Sequence, residues 1–130
     1  MRKKIIITAA ILGALAVIAG AFGAHGLQKF LSAKDIEVWH TAVQYQFYHV
    51  FALLFLSTLT RHKTRLINDC YYPFTLGTVF FSGSLYLLAC SRWMEWSWTP
   101  VIGPITPVGG LLFIAGWILL GVIAFTNKLN

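Results

Sequence analysis

Four stretches of the chain contain no Asp, Glu, Lys or Arg: residues 5–28, 38–60, 70–91 and 96–127. Each reaches the roughly 20 residues that a helix needs to cross a bilayer. The first three predict spanning helices at 5–24, 38–60 and 70–91. The fourth is interrupted by Pro100, Pro104 and Pro107; it predicts a helix over 107–126, because proline suits a first helical turn and disrupts an interior one. No stretch alternates apolar and polar residues over the ten or so positions of a membrane strand. A backbone facing lipid must satisfy its own hydrogen bonds, so the expected fold is an all-α integral membrane four-helix bundle. Residues 1–130 form its single four-span domain.

Within the first span, Ala9, Gly13, Ala16, Gly20 and Gly23 recur at alternating spacings of four and three. They form a narrow stripe of small residues along which a neighbouring helix of the same chain can approach closely. Gly109, Gly110, Gly116 and Gly121 offer the same to the last span, and Gly83 to the third. The segment "GLQKFLSAKDIEVW" after His25 places Leu27, Phe30 and Leu31 at helical spacing beside Gln28 and Lys29, which suits a short interfacial stretch on the outer surface. Ser32 followed by Asp35 resembles a capping box and predicts a helix start near Ala33. The short connection "RHKTRLIND" makes the second and third spans antiparallel neighbours, and "RWMEWSWTPVIGPIT" reads as a loop.

The second span is unusual for its polar outer half. At 100° per residue, His40, Thr41, Gln44, Tyr45, Tyr48 and His49 share a half-circle of the helix, with Gln46 just beyond. Turned to lipid, these groups would lack partners at a few kcal/mol each, so this face is expected to turn toward the other helices. Thr75, Thr78, Ser82 and Tyr86 form a polar stripe on the third span, and Gly77 and Ser84 a second. His49 stands eleven positions from either end of its uncharged run, and an ionisable residue at that depth marks either a functional site or a hydrogen-bonded structural element. The expected arrangement pairs His25 with Gln44 or Tyr45, and His49 with Gln46 or the Thr78 and Ser82 stripe, in an outward-opening polar pocket.

Composition agrees with a membrane protein: 58% of the 130 residues are hydrophobic and 11% charged, against about 25% charged in soluble domains. The basic, apolar start followed by Ala19, Gly20 and Ala21 has the layout of a signal peptide; the apolar run continues past that site to a length that spans. With the amino terminus inside, the inner side carries Arg2, Lys3, Lys4, Arg61, Lys63, Arg65 and Lys128, and the outer side Lys29, Lys34 and Arg92. That bias places both termini in the cytoplasm. Trp39, Trp93, Trp96 and Trp98 would then gather at the outer interface, and Tyr71 and Tyr72 at the inner one. The net charge of +6 is a topology signal and an attraction to anionic lipid, not a nucleic-acid footprint. Cys70 and Cys90, about 30 Å apart along one helix, cannot bond to each other within one chain.

"GAFGAHG" at 20–26, "YQFYH" at 45–49, "GTVFFSGSLY" at 77–86 and "TPVGG" at 106–110, each at its own span in this order, resemble the small bacterial inner-membrane proteins of the YgdD/YwdK type, a family of unknown function with TMEM-type relatives in animals. The resemblance covers nearly the whole chain and implies four spans and an inner-membrane location, but no activity. It marks Gly20, Gly23, His25, Tyr45, Gln46, His49, Ser82, Gly83, Ser84, Tyr86, Pro107, Gly109 and Gly110 as family positions.

No Ser, His and acid constellation, no acidic residue within a span and no phosphate loop is present, so neither an enzyme nor a cofactor is expected. The first reading is a non-enzymatic accessory or interaction subunit that packs by small-residue helix faces against a membrane-protein partner or a second copy. A small transporter or channel stays open with His49 as its proton-handling group, although cation exporters use an embedded carboxylate. Haem or metal binding also stays open through His25 and His40, which can match in depth, whereas His49 lies about 13 Å deeper than His40.

Overall fold

The computed structural model describes residues 1–59 and 65–126. Helix α1 (Arg2–Ala21) runs into a π-helical turn (Phe22–Gly26) and a 3-10 turn (Leu27–Lys29). Helix α2 (Ala33–Leu59), α3 (Arg65–Ser91), the single turn α4 (Thr99–Ile102) and α5 (Ile105–Thr126) follow, and the described residues contain no strand. Arg61, Lys63 and Lys128, three of the inner positive charges, lie outside the described residues, as does the end of the second span at Thr60. Among the described residues, three segments are long and apolar enough to cross a membrane: Arg2–Lys29, Arg65–Ser91 and Thr99–Thr126. Helix α2 matches α3 at 27 residues, about 40 Å, but its polar outer half keeps it out of that set.

Local chemistry sets the ends of these helices. Ser32 Oγ accepts the Asp35 N–H at 3.2 Å and donates to Asp35 Oδ2 at 2.9 Å, so the Ser32 half of the expected capping box forms, the carboxylate takes the hydroxyl in place of the Ser32 N–H, and α2 starts at Ala33. Pro107 falls in the first turn of α5, which begins two residues earlier than predicted, and the segment read as loop contains the helical turn α4, opened by Pro100. Beyond α3, Trp96 N–H reaches the Ser91 carbonyl and Glu95 N–H the Arg92 carbonyl, with Glu95 at φ 54°. This is a Schellman arrangement with glutamate in the left-handed position that glycine usually fills. Pro73 lies inside α3; its missing N–H leaves the Asp69 carbonyl without a helical partner.

The packing order is α1 on α2, α2 on α3, and α3 on α5. The small-residue stripe of α1 works as expected, within the chain. Ala9 and Ala16 are buried, and a Cβ placed on Gly13, Gly20 or Gly23 would meet Val50, Val43 or Trp39 of α2. The α3/α5 seam is tighter and alternates glycine with phenylalanine. Phe74 lies over Gly116, Phe113 over Gly77, and Gly109 against the Phe81 backbone, along one antiparallel register that Ser84 and Thr106 continue through their hydroxyls. Gly83 and Gly121 have open space where a Cβ would stand, and Gly110 meets only the edge of the Phe81 ring, at 3.8 Å. Gly83 is therefore not a packing residue, and Gly77, read only as part of a polar stripe, is one.

At the inner end Ile5, Leu53, Leu56, Ile67, Phe74 and Ile123 draw α1, α2, α3 and α5 into one core. Lys4 Nζ sits 4.8 Å from the Tyr71 ring centre and 5.3 Å from that of Tyr72, a cation over two aromatic faces where the charge bias places the inner interface. Thr8 and Tyr71 link α1 to α3 there through their hydroxyls at 2.9 Å. Toward the outer side, lateral grooves lie between non-adjacent helices of the described residues. One, between α1 and α3 over a floor of α2, encloses about 410 Å³. The other, between α2 and α5 over α3, encloses about 340 Å³.

Candidate functional site

The polar face of α2 divides. His40 and Gln44 are exposed, Tyr45 is 38% exposed, and Gln46 and His49 are buried at 4% and 3%. Gln46 turns to the α1 side. Its Nε2 donates to the Leu12 carbonyl at 2.7 Å, and its Oε1 accepts from Tyr86 Oη at 2.7 Å. Two turns toward the outer end, Trp39 Nε1 donates to the Ala19 carbonyl at 2.8 Å, and its ring centre lies 4.6 Å from that of Tyr86. Leu12 and Ala19 are also two turns apart, so a matched pair of α2 side chains grips α1 through its backbone. Each carbonyl can accept such a second bond because its oxygen carries two lone pairs.

His49 turns the other way. Its Nδ1 lies 2.7 Å from the Tyr45 carbonyl, so that nitrogen carries the proton; Nε2 accepts from Trp117 Nε1 at 3.2 Å. The ring stacks on Phe113 with centres 3.4 Å apart and planes 4° from parallel. Both nitrogens of a neutral imidazole are thereby used. The expected partners of His49 were Gln46 or the Thr78 and Ser82 stripe, and the structure corrects this. Gln46 and His49 stand about 60° apart around the helix, enough for the two to address different neighbours. Thr78 Oγ1 bonds back to the Phe74 carbonyl and Ser82 Oγ to the Ala42 carbonyl, at 2.8 and 2.7 Å. His49→Leu keeps the volume but deletes both bonds and the ring stack. We expect a loss of about 1 kcal/mol, read as a lower melting temperature in detergent; an unchanged melting temperature would reject the structural role.

The expected pairing of His25 with Gln44 or Tyr45 does not form either. His25 lies in the π-helical turn, where the Leu27 N–H reaches back to Phe22. The wider turn inserts a residue and rotates the imidazole outward, into a shallow cleft with Ile18, Ala21 and Phe22. His40 lines a different cleft with Gly20, Val43 and Gln44. No group of three or more His, Cys, Asp or Glu side chains among the described residues could hold a metal ion.

Trp39, Phe113 and Trp117 are the members that sequence reasoning missed. Trp39 was expected among the tryptophans of the outer interface; the structure adds that its ring packs in the α1/α2 seam with its N–H on Ala19. For Trp117 a signal exists: an indole placed mid-span needs an acceptor for its N–H, and His49 is the histidine at matching depth.

Residues 19–110 match the family described as "Protein of unknown function (DUF423)". A UPF0382 membrane protein of Staphylococcus haemolyticus is 43% identical over 123 residues, 95% of this chain and 96% of the relative. One of Staphylococcus saprophyticus is also 43% identical, over 95% of this chain and 98% of its own length. The UPF0382 membrane protein YwdK of Bacillus subtilis is 40% identical over 124 residues, 94% of this chain and 96% of its own. No solved structure matches the chain. With an all-helical fold, three apolar helices of spanning length and these relatives, the chain belongs to the DUF423 family of membrane proteins.

Proposed function

We propose that the protein is a four-span, non-enzymatic interaction protein of the plasma membrane, with both termini in the cytoplasm, that works by binding within the bilayer and not by catalysis or conduction. One observation carries this reading: the polar groups at depth on α2 hold the bundle together. Gln46 is tied to α1 and α3, and His49 to its own helix and to α5. Neither is poised against a reacting group or strung along a path between the two ends, and the inner end is filled by apolar core. What stays open is lateral, namely the two grooves and the apolar outer faces of α1 and α5 around Ile11, Leu15, Leu111 and Ile118. The small-residue faces of α1 and of the α3/α5 seam are spent inside the chain, so a membrane-protein partner or second copy would meet those larger apolar faces.

Two experiments test this. Reconstituted in vesicles, the protein should carry no proton or cation flux above empty vesicles; flux lost in His49→Gln would overturn the reading in favour of a transporter. For topology, cysteine is introduced beside Arg2, with Cys90, the native thiol of the outer half, replaced by alanine. It should resist a membrane-impermeant reagent on intact cells, and labelling from outside would reject the orientation.

A further inference from the structure

The α1/α3 groove sets polar groups, which the hydrogen-bond network satisfies only in part, among apolar walls. Its walls are apolar, with Leu15, Ile18 and Phe22 on α1 and Val79 on α3, yet Gln46, Thr78 and Tyr86 lie in its lining. Gln46 is 4% exposed and uses one amide N–H on Leu12 and its oxygen on Tyr86. A primary amide has two N–H groups, so one donor is left over among the described residues. Tyr86 Oη and Thr78 Oγ1 each donate to a protein acceptor and keep free lone pairs. In a groove that opens to lipid, hydrocarbon can pair with none of these groups, and a buried donor left so costs free energy.

The dimensions select among occupants. From Leu12 to Phe22 the groove follows ten residues of helix, about 15 Å, which is half the roughly 30 Å hydrocarbon thickness of a bilayer. It therefore runs from the outer interface to mid-depth. A helix with its side chains is about 10 Å across, so about 410 Å³ would hold only one turn of it. An extended chain fits instead.

Gly83 points to the same conclusion. It lines the groove, and nothing lies within 4 Å of where its Cβ would stand. The missing side chain makes room for no part of the protein, unlike the glycines of the α3/α5 seam.

We propose that this groove binds one single-chain lipid that carries a carbonyl group, its chain along Leu15, Ile18 and Val79 and its carbonyl oxygen accepting the spare N–H of Gln46. Two sources share this chemistry, a long-chain quinone and an acyl ester. The proposal rests on the reading that the protein works by binding within the bilayer. It fails separately from that reading: flux in vesicles would sink both, whereas absence of lipid from the groove would sink this one alone.

The test uses the full-length protein in mild detergent with two photoreactive probes, a diazirine-bearing decyl quinone and a diazirine-bearing palmitoyl lysophospholipid, and maps the labelled residues by mass spectrometry. Label from at least one probe should concentrate on Leu15, Ile18 or Val79. The unlabelled form of that probe should displace it, and hexadecane, which has no carbonyl, should not. The probe that labels identifies the source. Gly83→Leu projects into the groove from a position whose Cβ has open space, and it should cut labelling about ten-fold at an unchanged melting temperature. Label spread over Ile114 and Ile118 on α5, equal displacement by hexadecane, or full labelling of a folded Gly83→Leu variant would overturn the proposal. The hexadecane comparison on the unmodified protein decides the matter should Gly83→Leu fail to fold.

Discussion

Gly109→Ala is expected to be the most damaging single-methyl change in the protein, at about 3 kcal/mol or more, the upper end of overpacking costs. The added Cβ would stand 2.7 Å from Phe81 Cα and 2.8 Å from Phe81 Cβ, with the Phe81 backbone nitrogen nearer still. No rotamer change relieves a clash with backbone, so α3 and α5 must separate. That separation unseats Phe113 from Gly77 and Phe74 from Gly116, since all three pairs share one register. In lipid the loss is not offset by hydrophobic contact elsewhere, because helix association there depends on close van der Waals packing.

Gly77→Ala makes the useful contrast. Its nearest obstacles are Cδ1 and Cε1 of the Phe113 ring, at 2.5 and 2.7 Å, with the Gly109 carbonyl at 3.2 Å. Much of this clash is with a side chain, so Phe113→Leu should recover part of the stability lost in Gly77→Ala. No substitution of the Phe81 side chain should recover Gly109→Ala. Melting temperatures of the four variants in one detergent read this directly. A Gly109→Ala protein melting with the unmodified chain would show that the two helices are not in contact at this point.

The same seam shows what a sequence can and cannot disclose about such a bundle. The α1 stripe of Ala9, Gly13, Ala16, Gly20 and Gly23 was legible because five small residues at helical spacing have few other uses, and the Ser32 to Asp35 cap because it is wholly local. Glycines taken singly are ambiguous. Gly116 faces Phe74 and Gly83 faces open space, and nothing in either residue distinguishes them; the difference lies in which helix is opposite. The inward turn of Gln46 and His49 followed from the cost of exposing them to lipid. Their partners did not follow, because these depend on helix rotation and register. One partner, the Leu12 carbonyl, belongs to a group that every residue carries. The π-helical turn at Phe22–Gly26 was hidden for a related reason: a one-residue insertion leaves the apolar pattern intact while it redirects His25.

Gln46 gives the second large effect, and its sign can be tested against itself. Gln46→Leu removes the acceptor of Tyr86 Oη and the donor to the Leu12 carbonyl. The carbonyl suffers little, since it keeps its lone pairs and its place in α1. The tyrosine hydroxyl is left in an apolar groove without its partner, and an orphaned buried donor costs about 1–3 kcal/mol, more than the net worth of the bond that held it. We therefore expect Gln46→Leu to destabilise the protein by about 2 kcal/mol and Tyr86→Phe alone by about 1 kcal/mol, since the latter leaves Gln46 still bonded to Leu12. In the Gln46→Leu background the effect of Tyr86→Phe should reverse, because it then deletes the orphaned hydroxyl and keeps the ring against Trp39, whose centre lies 4.6 Å away. The double variant should melt above Gln46→Leu and below the unmodified protein. Strictly additive losses in this double-mutant cycle would mean that the two side chains do not interact, and that Gln46 serves the bundle through its bond to the Leu12 carbonyl alone.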